Sequence, residues 1–301
     1  MQPNISIVIV NWNRKDELLR LLGSLYRQNF RSFEVIVVDN ASSDGSVQAI
    51  RKNFPKVRIL EIEKNIGVCA SFNRGAEEAK GGVIFGMDTD CVIKDRNLFK
   101  KIEEKFDAIP RLGVLACAIR DFDTDQPYPN DPATIPSGSL ESGYDCLGFN
   151  GTAYAVRKRA FGEVGGYDED YFIYANEMEL SMKIIDAGYL CRFFPDIAVY
   201  HAPAQKTRSK RYDYYATRNT LWWQWQYFPL MDLAKRGFGF GVIFMKIFVY
   251  KDVRLNSRSL RGILDAVLGL PAVWRKRKPW SEETMSHFYE TVRENKKSKS
   301  S

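Results

Sequence analysis

Histidine is almost missing from this chain of 301 residues: only His201 and His287 are present. The five cysteines, Cys69, Cys91, Cys117, Cys146 and Cys191, are scattered, odd in number and never spaced Cys-x-x-Cys. That excludes a disulfide framework, leaves a zinc site short of ligands, and points to free thiols in a reducing cytosol. No apolar run reaches the roughly 20 residues that a spanning helix needs. The nearest, from Gly237 to Tyr250, is short, carries Lys246, and suits a core or interfacial segment. Neither a charged leader nor a cleavage site precedes the first apolar run, so secretion is not expected. No internal repeat is visible.

Positive charge is in excess. The net charge is +7, and the basic residues gather late, at Lys206 to Arg211, Lys235-Arg236, Arg275 to Lys278 and Lys296 to Lys299. Such an excess fits an anionic partner, whether phosphate, lipid headgroup or nucleic acid, or else a solvated face with a disordered tail. The apolar and charged fractions are those of a globular protein.

Apolar strands alternate with helical patterns over the first hundred residues. Ile5 to Val10, Phe33 to Val38, Val57 to Ile62 and Val83 to Met87 read as buried strands. Between them Leu18, Leu21, Leu22, Leu25 and Tyr26 share one helical face, the capping turn Ser42 to Ser46 opens a helix to about Asn53, and Cys69 to Ala79 forms a third helix. Continuous apolar strands in such alternation predict a parallel sheet covered on both faces. Ligands of such sheets sit beyond the carboxyl ends of the strands, where Asn11, Asp39, Asn65 and Asp88 fall.

Further on, Asn97 to Phe106 reads as a helix, Gly113 to Ile119 and Asn150 to Val156 as strands, and Asp121 to Ser142 as a long loop of the kind that forms lids. Arg157 to Val164 reads as a short helix, Glu177 to Ala187 as a longer one, and Arg192 to Tyr200 as short strands ending at His201. Beyond Pro203 come an aromatic helix from Arg211 to Tyr227, the apolar segment, an amphipathic stretch from Leu260 to Val273, and a basic tail.

The stretch Asp88-Thr89-Asp90 ends the fourth strand. In extended backbone residues i and i+2 face the same side, so the two carboxylates can meet one hard divalent cation, Mn2+ or Mg2+, whose remaining positions a substrate phosphate completes. The alternative is a pair of loop aspartates capping the next helix.

The order of motifs resembles the family 2 glycosyltransferases. The matching pieces are Ile7 to Arg14, Val37 to Gly45, Asn65-Ile66-Gly67 with Asn73-Arg74-Gly75, Asp88-Thr89-Asp90, Gly148 to Gly151, Gly165 to Glu169 and Asn176 to Leu180. A later Tyr215-Ala216-Thr217-Arg218-Asn219 is common among members acting on lipid-linked acceptors. The resemblance is firm over about residues 4 to 225. It implies a GT-A fold, a Rossmann-like, mostly parallel α/β sheet with helices on both faces. A catalytic domain of residues 1–205 would divide into a nucleotide-binding half, about 1–92, and an acceptor-binding half, about 93–205. Residues 206–301 would form a helical, aromatic and basic region with a disordered tail.

The resemblance also implies roles. Asn11 and Asn13 line the nucleotide pocket. Asp39 accepts from the imide of uracil or thymine, favouring UDP or dTDP sugars, or else caps a helix. Asn65, Gly67 and Arg74 border the ribose or diphosphate, where a helix N-terminus offers backbone donors. Asp88 and Asp90 hold the metal, with His201 as a further ligand or a structural histidine. Asn150, Gly151, Asn176 and Glu179 face the acceptor. Members usually carry two acids where this chain has Asn176-Glu177, so Glu177 is the expected catalytic base, one methylene longer, unless it only complements the helix dipole. Lys206, Arg208 and Arg218 are candidates for neutralising the diphosphate.

The implied reaction is metal-dependent, inverting transfer from a nucleotide sugar to a saccharide in cell-surface polysaccharide synthesis. The expected acceptor is a saccharide carried on a polyprenyl diphosphate, met at the inner face of the cell membrane. A processive synthase is disfavoured, since no Gln-x-x-Arg-Trp motif occurs. Nucleotidyl transfer to a sugar phosphate would want a glycine-rich basic loop, where the chain has Asn11-Trp12-Asn13-Arg14. A nucleic-acid binder would leave the strand-end carboxylates unexplained, and these repel a phosphate backbone. The aromatic helix reads either as core packing or as a seat at an anionic bilayer surface, to which the protein would attach peripherally.

Overall fold

A computed structural model describes residues 2–128, 143–202, 209, 211–249 and 253–298. The chain runs β1 (Ile5–Asn11), α1 (Lys15–Leu25), β2 (Phe33–Asp39), α2 (Ser46–Asn53), β3 (Arg58–Glu61), α3 (Gly67–Glu78), β4 (Val83–Met87), β5 (Cys91–Val92), α4 (Leu98–Ala108) and β6 (Leu112–Asp121). There follow β7 (Tyr144–Asp145), β8 (Ala153–Arg157), α5 (Lys158–Glu163), α6 (Asn176–Asp186) and β9 (Leu190–His201). The C-terminal part holds α7 (Tyr212–Tyr227), α8 (Leu230–Lys235), α9 (Phe240–Phe244), α10 (Ser257–Arg275) and α11 (Glu282–Ser298).

One sheet carries the strands in the order β3-β2-β1-β4-β8-β6-β9-β5, with β7 on β9. The first four are parallel, as the alternation of strand and helix predicts. The second half is mixed: β8 runs antiparallel to both β4 and β6, while β6 and β9 are parallel. Strand alternation divides the core. Ile5, Ile7 and Ile9 pack with α1 and α4 on one face, and Val8 packs with α3 and α6 on the other. Burial on both faces is why these strands read as unbroken apolar runs.

Three local expectations change. The last strand is one element of 12 residues, Leu190–His201, not several short ones; its pairing with β6 skips from Phe194 to Ala198. The skipped Pro195 cannot donate to the ladder, which explains the broken pattern. Strand β8 starts at Ala153, because Asn150 accepts from the Thr152 N–H at 3.0 Å and holds a turn there. The region read as a basic tail is helical over Glu282–Ser298. Of the loop expected from Asp121 to Ser142, residues 129–142 lie outside the described residues, as do Lys206 and Arg208.

The aromatic helix α7 is core. Trp223 and Trp225 are buried, and Trp223 and Tyr227 stack on Trp280. The expectation of a membrane seat on this helix is corrected: none of its rings is exposed, and the helix packs against α10 and α9.

Candidate active site

β1 lies between β2 and β4, with Asn11 paired to Asp39 and Ile9 to Met87. The carboxyl ends of β2, β1 and β4 therefore form one edge. Asp39 and Asp88 flank Asn11 across two strand spacings, about 10 Å.

At the β1–β2 end, Asp39 is nearly buried. One of its oxygens accepts from Asn11 Nδ2 at 3.0 Å and the other from the Ser42 N–H at 2.9 Å. The turn-capping role is thus present. It leaves lone pairs over, because a carboxylate offers about four acceptor positions. Among the described residues, Asn11 Oδ1 is buried with no partner. Asn13, at φ 53°, accepts from the Ser43 N–H at 2.7 Å and knits the two strand exits together. Asn65 Oδ1 accepts from Asn40 Nδ2 at 3.1 Å and from the Gly67 N–H at 3.0 Å.

At the β4 end the charges concentrate. Asp88 is exposed as a residue, yet the packing around its carboxyl group and the neighbouring Asp90 push it up to about 7. Burial also works against ionisation of Asp90, but His201 and Arg14 outweigh it and hold that carboxyl below the usual range. His201 Nε2 stands 3.3 Å from Asp90 Oδ1, and Arg14 lies 3.6 Å from Asp90 Oδ2. Among the described residues, Asp90 Oδ1 and His201 Nδ1 are buried and find no hydrogen-bond partner.

This donor set fits a hard divalent cation. Two ligands at about 2.1 Å and a right angle stand about 3 Å apart, close to the observed separation of Asp90 and His201. Among the described residues no three such side chains are already gathered round one point, so substrate oxygens and water must complete any sphere.

Opposite this end, α6 opens abruptly. Ala175, at φ 60°, precedes Asn176, and Glu177 falls in the first turn. A Cβ at Gly151 would stand 2.3 Å from Glu177 Oε1, so only glycine lets this carboxylate lie against the Asn150–Thr152 turn. Burial raises the pKa of Glu177, and its charge in turn raises that of Asp88. Asn176 is buried beside it.

A glycosyl transferase family 2 model matches residues 6–165, just over half of the chain. The chain belongs to glycosyl transferase family 2. Of related proteins, this glycosyltransferase is 28% identical over 272 residues to the N-acetylglucosaminyl-diphospho-decaprenol L-rhamnosyltransferase of Mycobacterium tuberculosis, covering 74% of this chain and 88% of that one. It is 35% identical over 102 residues to the uncharacterized glycosyltransferase YwdF of Bacillus subtilis, covering 33% and 37%. S. aureus TarS 1–349 superposes with a TM-score of 0.62 at 18% identity, over 91% of this chain and 81% of that one. The mannosyltransferase PcManGT from Pyrobaculum calidifontis, solved with GDP-Man and Mn2+, superposes with a TM-score of 0.60 at 18% identity, over 92% and 73%. The fold is GT-A.

The family 2 chain does not bring every expected residue to this edge. Glu179 is fully buried away from it, accepting from Tyr227 at 2.7 Å and paired with Lys183 at 2.8 Å. It ties α6 to α7 and is corrected from an acceptor residue to a structural one. Arg74 is exposed on α3 and, among the described residues, pairs with Glu77, at 3.4 Å. The N-terminus of α3 is not open to phosphate: the Val68 N–H donates to the Phe172 carbonyl at 2.7 Å, and the Ile66 N–H to Asn40 at 2.9 Å. Gly67, at φ 88°, is required there because Phe172 leaves no space for a side chain. Arg218 does not face a diphosphate either; it donates to the carbonyls of Asp170 and Tyr171 at 2.8 and 3.1 Å and lies over Trp222.

Sequence reasoning missed the clamp on the segment before α6. Phe172, Tyr174 and Ala175 all have positive φ, between 60° and 67°. Asn219 Nδ2 faces the carbonyls of Tyr171, Ile173 and Tyr174 at 3.0, 2.9 and 2.7 Å. Lys276 binds Asp168 at 2.9 Å and Asp170 at 2.7 Å. The available signal was the Arg218-Asn219 pair itself, in a helix otherwise filled with rings.

Proposed function

We propose that this family 2 protein transfers a sugar, with inversion, from a UDP or dTDP sugar to a hydroxyl of a saccharide on a polyprenyl diphosphate, at the cytosolic face of a membrane. The observation that carries the reading is the opposition of Glu177, a carboxylate with a raised pKa held against Gly151, to the Asp88–Asp90–His201 end of the sheet. A carboxylate of raised pKa is a stronger base than an ordinary one. Glu177 takes the proton of the acceptor hydroxyl, and the oxygen attacks the anomeric carbon from the face opposite the diphosphate. Charge grows on the leaving diphosphate as its bond to the sugar breaks, through an oxocarbenium-like transition state. Asp88, Asp90 and His201 would hold Mn2+ or Mg2+, which when bound offsets that charge. Arg14 adds a fixed cation at the same end. Asn11 and Asp39 face the base, where an acceptor carboxylate suits the imide N–H of uracil or thymine.

The acceptor class draws support from the name of the mycobacterial relative, whose acceptor is a diphospho-decaprenol-linked N-acetylglucosamine. Among the described residues no helix is long and apolar enough to cross a membrane, so attachment would be peripheral. The test is incubation with Mn2+ and a panel of UDP, dTDP and GDP sugars plus a lipid-linked GlcNAc acceptor. Release of UDP or dTDP is expected, and release of pyrophosphate would instead indicate nucleotidyl transfer. Glu177→Gln is expected to abolish turnover while donor binding stays near wild type; retained turnover would remove Glu177 as the base.

A further inference from the structure

Helix α10 turns an apolar face to solvent, where a surface helix ordinarily turns a polar one. At about 100° per residue, Leu260, Leu264, Val267, Leu268, Pro271 and Trp274 fall within an arc of about 120°. All are exposed, Leu264 to 57% and Leu268 to 69%. The opposite face is made of small side chains. Ser259, Gly262 and Ala266 are buried against α7, and a Cβ at Gly262 would stand 2.6 Å from the Tyr214 carbonyl oxygen. Close seating on α7 therefore leaves the large residues outside. Helix α9 repeats the arrangement: Ile243 is buried, while Phe240, Phe244 and Phe248 (in the π-helical turn that continues it) are exposed.

The rim of this surface is cationic. Arg254, Arg258, Arg261, Arg275 and Lys278 are exposed around α10. The nearby acid, Asp265, is held by the Tyr214 hydroxyl at 2.7 Å and faces Arg261 at 3.6 Å. An apolar stripe bordered by arginines matches the acyl boundary and anionic headgroups of a bilayer. A second copy of the chain fits less well, because two-fold pairing would press like-charged rims together.

We propose that the outer face of α10 docks in the surface of an anionic phospholipid bilayer, with Leu264 and Leu268 in the acyl boundary and the arginines among the headgroups. This extends the lipid-linked reading of the acceptor and locates the attachment, which the aromatic helix α7 does not provide.

The test uses the full chain and vesicles, without donor or acceptor. Flotation is expected with phosphatidylcholine–phosphatidylglycerol vesicles, weaker with phosphatidylcholine alone, and reduced by high salt. The double variant Leu264→Glu/Leu268→Glu should lose roughly tenfold or more in vesicle partitioning at an unchanged melting temperature, since both positions are exposed. Arg258→Glu/Arg261→Glu should lose binding only to the anionic vesicles. Equal flotation of wild type and the leucine variant, or a wild-type dimer that the leucine variant converts to monomer, would overturn the proposal. A chain that floats but releases no nucleoside diphosphate would refute the transferase reading alone. A chain that turns over a soluble acceptor without floating would refute the docking surface alone.

Discussion

Asn219→Ala is the sharpest probe of how the proposed base, Glu177, is held. Its side-chain amide has two hydrogens and faces three carbonyls, those of Tyr171, Ile173 and Tyr174. Two good hydrogen bonds at about 1 kcal/mol each, plus the stranding of buried carbonyls, set the loss of stability at about 3 kcal/mol. The segment released is already strained: three non-glycine residues in the left-handed region cost about 1–2 kcal/mol each. Ala175 is the last of them and stands two residues before Glu177. Once freed, the segment relaxes toward ordinary φ values and carries the first turn of α6 with it. A displacement of about 1 Å at a reacting group costs on the order of 100-fold in rate. The expected outcome is a kcat about 10 to 100-fold lower, a donor KM near wild type, and a melting temperature lower by about 5–10 °C. Nucleoside diphosphate release and a thermal melt check both halves. A variant that melts early yet keeps the wild-type kcat would refute the idea that Asn219 positions Glu177.

Two further outcomes follow from the same geometry. Gly151→Ala places a methyl group against Glu177 Oε1 without demanding a left-handed backbone. It should lower kcat by about tenfold or more while the circular dichroism spectrum is unchanged; full activity would show that the carboxylate works from another rotamer. Asp88 has a folded-state pKa of about 7 against an ordinary 3.8. The folded protein thus holds that proton more tightly than the unfolded chain, and its contribution to stability falls as the pH rises through that window. Metal-free wild type should lose melting temperature relative to Asp88→Asn between about pH 4 and about pH 7. Mn2+ should restore the wild type, and not the variant, at the upper end; identical profiles for the two would separate Asp88 from the metal.

The strand-end half of the site was legible because each of its residues is fixed by local structure. An apolar run followed by Asn11, Asp39 or Asp88 states both the strand and its carboxyl end, and parallel order then brings the ends together. Glu177 was legible as the acid at a helix start. What sequence could not show are partners chosen by segments far apart in the chain. Glu179 looks like a second acid beside the base, but Tyr227 and Lys183 take it into the core. The start of α3 looks like a phosphate seat, but the Phe172 carbonyl, about a hundred residues on, occupies its donors. The rings of α7 suggest a membrane surface by composition alone. Their burial depends on Trp280 and α10, which periodicity within α7 cannot reveal.

Those distant contacts make α7 the link between the segment before α6 and helix α10. On one flank Arg218, Asn219 and Gln226 hold the Asp168–Tyr174 segment that leads to Glu177. On another, Tyr214, Thr217 and Trp222 receive the small-residue face of α10. A helix of 16 residues is about 24 Å long. The proposed docking surface and the proposed base are therefore both braced by the same short rod. A bilayer bound at α10 fixes the height of Glu177 above the headgroups, and hence which hydroxyl of a lipid-linked saccharide can meet it. Membrane attachment and acceptor selection are on this account two consequences of one packing arrangement, and substitutions along α7 should disturb both together.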